Sequence, residues 1–156
     1  MKPPNFQYAA PRSLDEALTL AAKYGGDAMI LAGGQSLVAA MNFRFVAPAV
    51  LIDLNRVPEL SHIRRDGERL HVGAMTRHRA LEFSQEGIDA EPLLARVSCE
   101  IGPLAIRNRG TIGGSIAHAH PAAEWPLIAV ALDAQVTLRS VSQSRSIPAR
   151  EFFVGP

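Results

Sequence analysis

Residues 31 to 37 read LAGGQSL and residues 111 to 115 read TIGGS, two stretches of nearly bare backbone lying far apart in one chain. Glycine pairs serve turns and positive-φ positions, and they also occur where backbone must come close to a phosphate. The rest of the chain must find a place for both. Its 156 residues, 47% of them hydrophobic, fill one ordinary domain or two small lobes sharing a core. Sixteen basic and fifteen acidic residues leave a net charge of +1, so no field of one sign is available to hold nucleic acid or an anionic membrane. The opening MKPPNFQYAA has no apolar core of signal-peptide length, and no apolar run approaches the ~20 residues of a membrane span. A cytoplasmic address without a membrane span is expected. Cys99 is the single cysteine, which excludes an internal disulfide and any zinc or iron–sulfur site built from this chain's thiolates alone.

SLDEALTLAAKYGG predicts a helix with both ends specified: Ser13 and Glu16 have capping-box spacing, Leu14, Ala17, Leu18, Ala21 and Ala22 form one apolar stripe, and Gly25 suits a left-handed C-terminal position. AMILA (28 to 32) then reads as a strand ending at Gly33, and SLVAAMNF as a helix. AVLIDLN (49 to 55) is a second buried strand, far enough from the first to leave room for a crossover helix, so a small parallel α/β unit is expected. Beyond Asn55 the pattern turns to mixed α+β. ERLHVGAMT reads as a strand, RHRALEFSQE and PLLARVSCEI as two helices, RNRGTIGGSIAHAHPAAEW as a long irregular segment, PLIAVALDA as a buried helix and AQVTLRSV as a strand. The expected division is residues 1 to 55 and residues 56 to 156, two lobes of one α+β domain.

A strand, Gly33-Gly34 and a helix starting near Ser36 would aim unpaired N–H groups at one point, with Gln35 and Ser36 adding side-chain donors. The pattern is neither GxGxxG nor GxxxxGK[ST]. Alone, it reads better as an ordinary strand-to-helix turn. The second segment is more specific: Gly110, Gly113 and Gly114 leave the backbone uncovered, and Thr111 and Ser115 supply hydroxyls. Two such segments could clamp a pyrophosphate from opposite sides. On that reading, valine at Gly34 or Gly114 would block the phosphate and leave the fold largely intact.

The ordered set SLDEAL, AGGQSL, LIDL, VGAMT, IRNRGTIGGSIAHAHPAAEWP and EFFVGP resembles the FAD-binding (medium) subunits of the molybdenum hydroxylases, the carbon monoxide dehydrogenase and xanthine dehydrogenase family, over essentially the whole chain. The resemblance implies a two-lobed FAD-binding domain of the molybdopterin dehydrogenase flavoprotein type. It places Ala32, Gly33, Gly34, Gln35, Ser36 and Leu37 on one side of the FAD pyrophosphate, and Gly110, Thr111, Gly113, Gly114 and Ser115 on the other. It further implies an electron-transfer role, in which electrons from a molybdenum centre on a large subunit pass through iron–sulfur clusters on a small subunit, reach FAD and leave to an external acceptor. Those two subunits are the expected partners in a hetero-oligomer. Many relatives read A-H-A-D-P-A where this chain has Ala117-His118-Ala119-His120-Pro121-Ala122, so His118 and His120 fall in the cofactor segment, with an imidazole at His120 replacing a carboxylate that meets the flavin's ribityl hydroxyls. Neutral imidazole can still donate from one nitrogen and accept at the other. Family members also continue past FFxGP into a C-terminal domain that covers part of the flavin site. Phe152 and Phe153 are therefore expected at an exposed, unfinished edge. The competing function is a binding or assembly module that keeps the fold and holds FAD weakly or not at all.

No catalytic residue is expected, since no Ser-His-Asp or paired-carboxylate arrangement stands out and FAD would carry the chemistry. His118 and His120 with Glu124 would suggest metal ligands if the segment were extended, but no thiol accompanies them and FAD explains the segment better, so no metal is assigned. His62, His71 and His78 sit among arginines and read as a solvated face. Cys99 reads as a small core residue. Arg107 and Arg109 read either as phosphate contacts or as exposed arginines.

Overall fold

A computed structural model describes residues 2–153. A three-residue strand that the sequence does not announce, β1 (Gln7–Ala9), precedes the first helix, α1 (Leu14–Tyr24). Ser13 starts α1 as its position predicts: its hydroxyl accepts from the Glu16 N–H at 3.2 Å, while the Glu16 carboxylate reaches back to the Arg12 N–H at 2.8 Å. Gly25, at φ 50°, ends the helix, and its N–H donates to the Ala21 carbonyl. Strand β2 (Ala28–Leu31), helix α2 (Leu37–Asn42) and strand β3 (Val50–Asp53) follow, so the expected strand, glycine turn, helix and strand are all present. The sheet is parallel, in the order β1-β3-β2, with Tyr8 and Met29 both opposite Leu51. β3 is central and buried along its whole length, which accounts for its unbroken Val-Leu-Ile run. α1 packs against β2 and β3 and buries Ala17.

The remainder is mixed. β4 (Ile63–Asp66) and β5 (Arg69–Val72) form an antiparallel hairpin closed through Gly67 at φ 59°. The helix expected over RHRALEFSQE is two helices, α3 (His78–Phe83) and α4 (Gln85–Ala90), because the Ser84 hydroxyl accepts from the Gly87 N–H and starts a new turn there. α5 (Pro92–Glu100) begins at its proline. The segment expected to be irregular contains a helix: α6 (Leu104–Arg107) ends as it begins, and α7 (Ile112–His118) lies within it and runs straight through Gly113-Gly114. Next come α8 (Glu124–Ala131), the hairpin β6 (Gln135–Arg139) with β7 (Ser144–Pro148), and α9 (Ala149–Phe152).

Leu81 of α3, Leu94 of α5, Ile101 and Trp125 of α8 form the core of this part, with Val72, Ile112 and Ile128 packed on it. Two expectations fail here. Cys99 is exposed, its Sγ–H turned onto the Ala95 carbonyl at 3.4 Å, and its neighbour Ser98 is the buried residue, because the apolar stripe of α5 passes through Leu94 and Ser98. Phe152 and Phe153 are half-buried and stack edge-to-face at 5.1 Å, so that pair is not an exposed edge; Val154, Gly155 and Pro156 lie outside the described residues. Among the described residues, no helix is long and apolar enough to cross a membrane.

Leu81 has no exposed surface. Leu81→Ala should therefore cost ~2 to 5 kcal/mol of unfolding free energy, read as a lower urea midpoint at unchanged slope.

Candidate functional site

β2 ends at Leu31, and the chain turns into α2 through Ala32, Gly33, Gly34, Gln35 and Ser36. Gly34 sits at φ 74°, a conformation that disfavours side chains. Gly33 is buried for a different reason: a Cβ there would lie 2.3 Å from the Arg109 carbonyl oxygen and 2.8 Å from the Gly110 Cα. The two glycine segments thus touch, backbone against backbone. Sequence spacing pairs them only through a shared ligand, whereas they also meet directly.

The second segment is held from behind. The Ile112 N–H donates to Thr76 O at 3.1 Å, Gly113 to Ala74 O at 2.9 Å, and Gly114 to the Thr111 hydroxyl at 3.1 Å. A Cβ on Gly113 would lie 2.5 Å from the Ala74 Cβ; one on Gly114 would lie 2.8 Å from the Thr111 hydroxyl and 3.3 Å from the Ala32 Cβ. Valine at Gly34 or Gly114 would consequently disturb the protein itself, contrary to the expectation that the fold stays intact. Thr111 is a buried helix cap, so its hydroxyl is already engaged. The donors left over belong to the first segment: among the described residues, the Gln35, Ser36 and Leu37 N–H groups have no protein acceptor. The Gln35 side chain turns inward and donates to Gly33 O at 3.0 Å.

A cleft of about 290 Å³ opens over this first segment, with Asp53, Asn55 and Arg109 completing its wall. Its volume is near the low end for a small-molecule site, suited to one section of a long ligand. Ala32, Gly33, Gly34 and Gln35 line it, with Gly110 and Thr111 behind; Ser115 lies one turn further along α7, while His118 and His120 flank the α7 C-terminus outside the cleft lining. Ala119, at φ 48°, separates the two histidines, whose rings stack at 5.9 Å; the segment is not extended, which removes the alternation behind the metal reading. The His120 Nδ1 accepts from the Ala122 N–H at 3.1 Å.

Several residues that the sequence reading passed over hold the site together. Asp53, at the carboxyl end of β3, accepts from the Tyr8 hydroxyl at 2.5 Å and from Asn55. Burial pushes its pKa up, but those hydrogen bonds and the nearby Arg56 outweigh it and hold the carboxyl below its usual value. A usable signal existed: polar residues at the carboxyl end of a buried parallel strand fall where open α/β sheets place ligands. His78 corrects an expectation. It is buried, unlike the exposed His62 and His71: the Trp125 indole N–H donates to its Nδ1 at 3.0 Å, its Nε2 faces Gly110, and its backbone N–H donates to Gly110 O at 3.1 Å. Burial, aided by the Arg77 charge, lowers its pKa to about 4. Arg107 is turned away from the site, paired with Glu82 at 3.3 Å and bonded to Gly102 O, whereas Arg109 is exposed on the cleft wall.

Residues 4–156 match the family model described as the FAD binding domain in molybdopterin dehydrogenase. The 6-hydroxypseudooxynicotine dehydrogenase complex subunit alpha of Paenarthrobacter nicotinovorans is 48% identical over 154 residues, covering 99% of this chain and 52% of that protein. The carbon monoxide dehydrogenase structure from Hydrogenophaga pseudoflava superposes with a TM-score of 0.97 at 44% identity, covering 99% of this chain and 54% of its counterpart. Quinoline 2-oxidoreductase from Pseudomonas putida 86 gives 0.96 at 41% identity, with coverage of 99% and 54%. The chain spans about half the length of the curated relatives it matches.

Two outcomes are expected. Gly33→Ala should lower the thermal midpoint sharply, because its methyl meets backbone, whereas Gly26→Ala, which meets nothing within 4 Å, should leave the midpoint unchanged or raise it; differential scanning fluorimetry separates them. For His78, a folded-state pKa of about 4 lies below the ordinary value of 6.5, so its stabilising share is complete above pH 6.5 and lost as the unfolded chain takes up a proton between pH 6.5 and 4. The loss amounts to ~3 kcal/mol at the acid end. Urea unfolding of His78→Gln should lack that part of the acid sensitivity.

Proposed function

Because the chain belongs to the family of FAD-binding domains of molybdopterin dehydrogenases, we propose that it is the electron-transfer flavoprotein component of a molybdenum-containing hydroxylase or dehydrogenase. In this reading it takes electrons from iron–sulfur clusters on a small subunit, in an assembly with a molybdenum-cofactor large subunit, and passes them to an external acceptor. Its relatives, which are subunits and medium chains of dehydrogenases, support that assignment. One thiol cannot hold a two-iron cluster, so these 156 residues do not carry one on their own cysteine, which agrees with a flavin-only role for this domain.

The observation that carries the proposal is the meeting of the two glycine segments beside a cleft with unpaired N–H groups. We place the FAD pyrophosphate there. The N–H groups of Gln35, Ser36 and Leu37 would hold it from one side, and Gly110, Thr111, Gly113, Gly114 and Ser115 would form the opposite wall. His118 and His120 would lie toward the ribityl end, between residues 1 to 55 and residues 56 to 156 as two lobes. With α2 and α7 so short, the site binds through local N–H groups more than through a helix dipole. The bound flavin supplies the redox chemistry, and the residues of this chain bind and orient it.

Purified chain titrated with FAD should quench flavin fluorescence saturably and retain a flavin absorption spectrum after gel filtration. Alone, it should reduce no dye with any hydroxylase substrate. Protein that stays colourless and fails to quench the flavin would favour the assembly-module function instead, and dye reduction by the chain alone would overturn the electron-transfer role.

A further inference from the structure

Arg77 precedes α3 and lies half-buried between the two glycine segments. One arm of its guanidinium donates to the Arg109 carbonyl, the same oxygen that the missing Gly33 side chain would strike. The other arm donates to the Asn55 side-chain oxygen. The Asn55 amide in turn donates to Ala32 O at 3.0 Å and to Asp53 at 2.5 Å. The Arg77 backbone pairs with Thr111 in an isolated antiparallel bridge. Among the described residues, no carboxylate forms an ion pair with Arg77, so the guanidinium's partners are the Arg109 carbonyl of the second segment and the Asn55 side chain, which in turn reaches the first segment at Ala32 O.

We propose that Arg77, with Asn55, is a positioning residue that fixes the spacing of the two glycine segments around the FAD pyrophosphate. The inference rests on the FAD placement proposed above and adds to it a device that belongs to the protein alone. The chain of contacts runs from Ala32 O through Asn55 and Arg77 to Arg109 O, so it ties the carbonyl before the first glycine pair to the carbonyl before Gly110. A planar fork is needed, since two acceptors in different directions are met by one side chain. Lysine keeps the charge and loses the fork. Charge attraction toward a diphosphate and positioning of its walls therefore make opposite predictions for Arg77→Lys.

The test is FAD affinity of the full chain at constant ionic strength, by fluorescence quenching, for wild type, Arg77→Met, Arg77→Lys and Asn55→Asp. Asn55→Asp keeps an acceptor for Arg77 and removes the donor to Ala32. All three variants should bind FAD at least about tenfold more weakly, the size of effect expected for losing such hydrogen bonds. In the absence of FAD, the Val38 amide, bonded to Gly34 O in the first segment, and the amides of Arg109 to Gly114 in the second should exchange with deuterium faster in the Arg77 variants than in wild type, with the β6–β7 hairpin unchanged. If Arg77→Met does not fold, Arg77→Lys carries the comparison, because it conserves charge and most of the side chain. Wild-type affinity in Arg77→Lys would overturn the proposal in favour of charge alone, and unchanged exchange in both segments would overturn it outright. Failure of wild type to bind FAD would instead defeat the functional reading, and the exchange measurement would still decide whether the two segments are tied.

Discussion

The contact of Gly33 with Arg109 and Gly110 is the constraint on which the arrangement depends. With a hypothetical Cβ only 2.3 Å from a carbonyl oxygen, the two backbones occupy the space of a side chain, and no other residue type fits without moving one of them. The parallel sheet delivers the first segment at the end of β2, and the Arg77–Thr111 bridge delivers the second beside it. The packing that remains, including Gly113 on Ala74 and Gly114 near Ala32, follows from that approach.

Behind the second segment lies a support that uses polar groups in place of apolar bulk. Trp125 fills the core with its ring and turns its one N–H to His78, and His78 faces Gly110 with the opposite edge of its imidazole. As an acceptor at Nδ1, the ring must be neutral in this arrangement, which agrees with its depressed pKa. The engagement of the Ile112, Gly113 and Gly114 N–H groups follows the same logic: a buried helix start must satisfy its own donors before any ligand arrives. The first segment lies against a cleft and can leave its donors open.

The ends of α1 were legible because Ser13, Glu16 and Gly25 act locally, and β3 was legible because a strand buried on both faces needs a continuous apolar run. β1 was not, since three mixed residues gain strand geometry only from pairing with β3. β4, reading Ile-Arg-Arg-Asp, lacks an apolar rhythm and owes its form to the turn at Gly67. The helix through Gly113-Gly114 runs against the intrinsic cost of glycine in a helix, and tertiary bonds to Ala74 and Thr76 with the Thr111 cap override it. His78 looked solvated between Arg77 and Arg79, yet a helix turns successive residues by about 100°, so the first helical residue can face the core while Arg77 and Arg79, both half-buried, point elsewhere. At the candidate site the glycine segments were visible, whereas Asp53, Asn55 and Arg77, separated in sequence and joined only by hydrogen bonds, were not.

These observations change what the glycine motif signifies. A glycine needed by a ligand and a glycine needed by the protein look alike in a sequence, but they differ in what a methyl group would meet. At Gly33, Gly110 and Gly113 it would meet carbonyls, an imidazole edge and a neighbouring Cα at 3.0 Å or less, all of which belong to this chain. At Gly34 the obstacle is a positive φ together with two flexible side-chain ends at 3.1 Å. AGGQS and TIGGS therefore encode a docking of two backbones first, and on the proposed reading a cofactor cradle second. Such an arrangement favours binding because the walls are positioned before the ligand arrives, and less ordering cost falls on the binding step itself. It also couples the two: a ligand gripped by both segments binds the docked state better than the separated one, so binding energy returns as stability of the contact that makes the site.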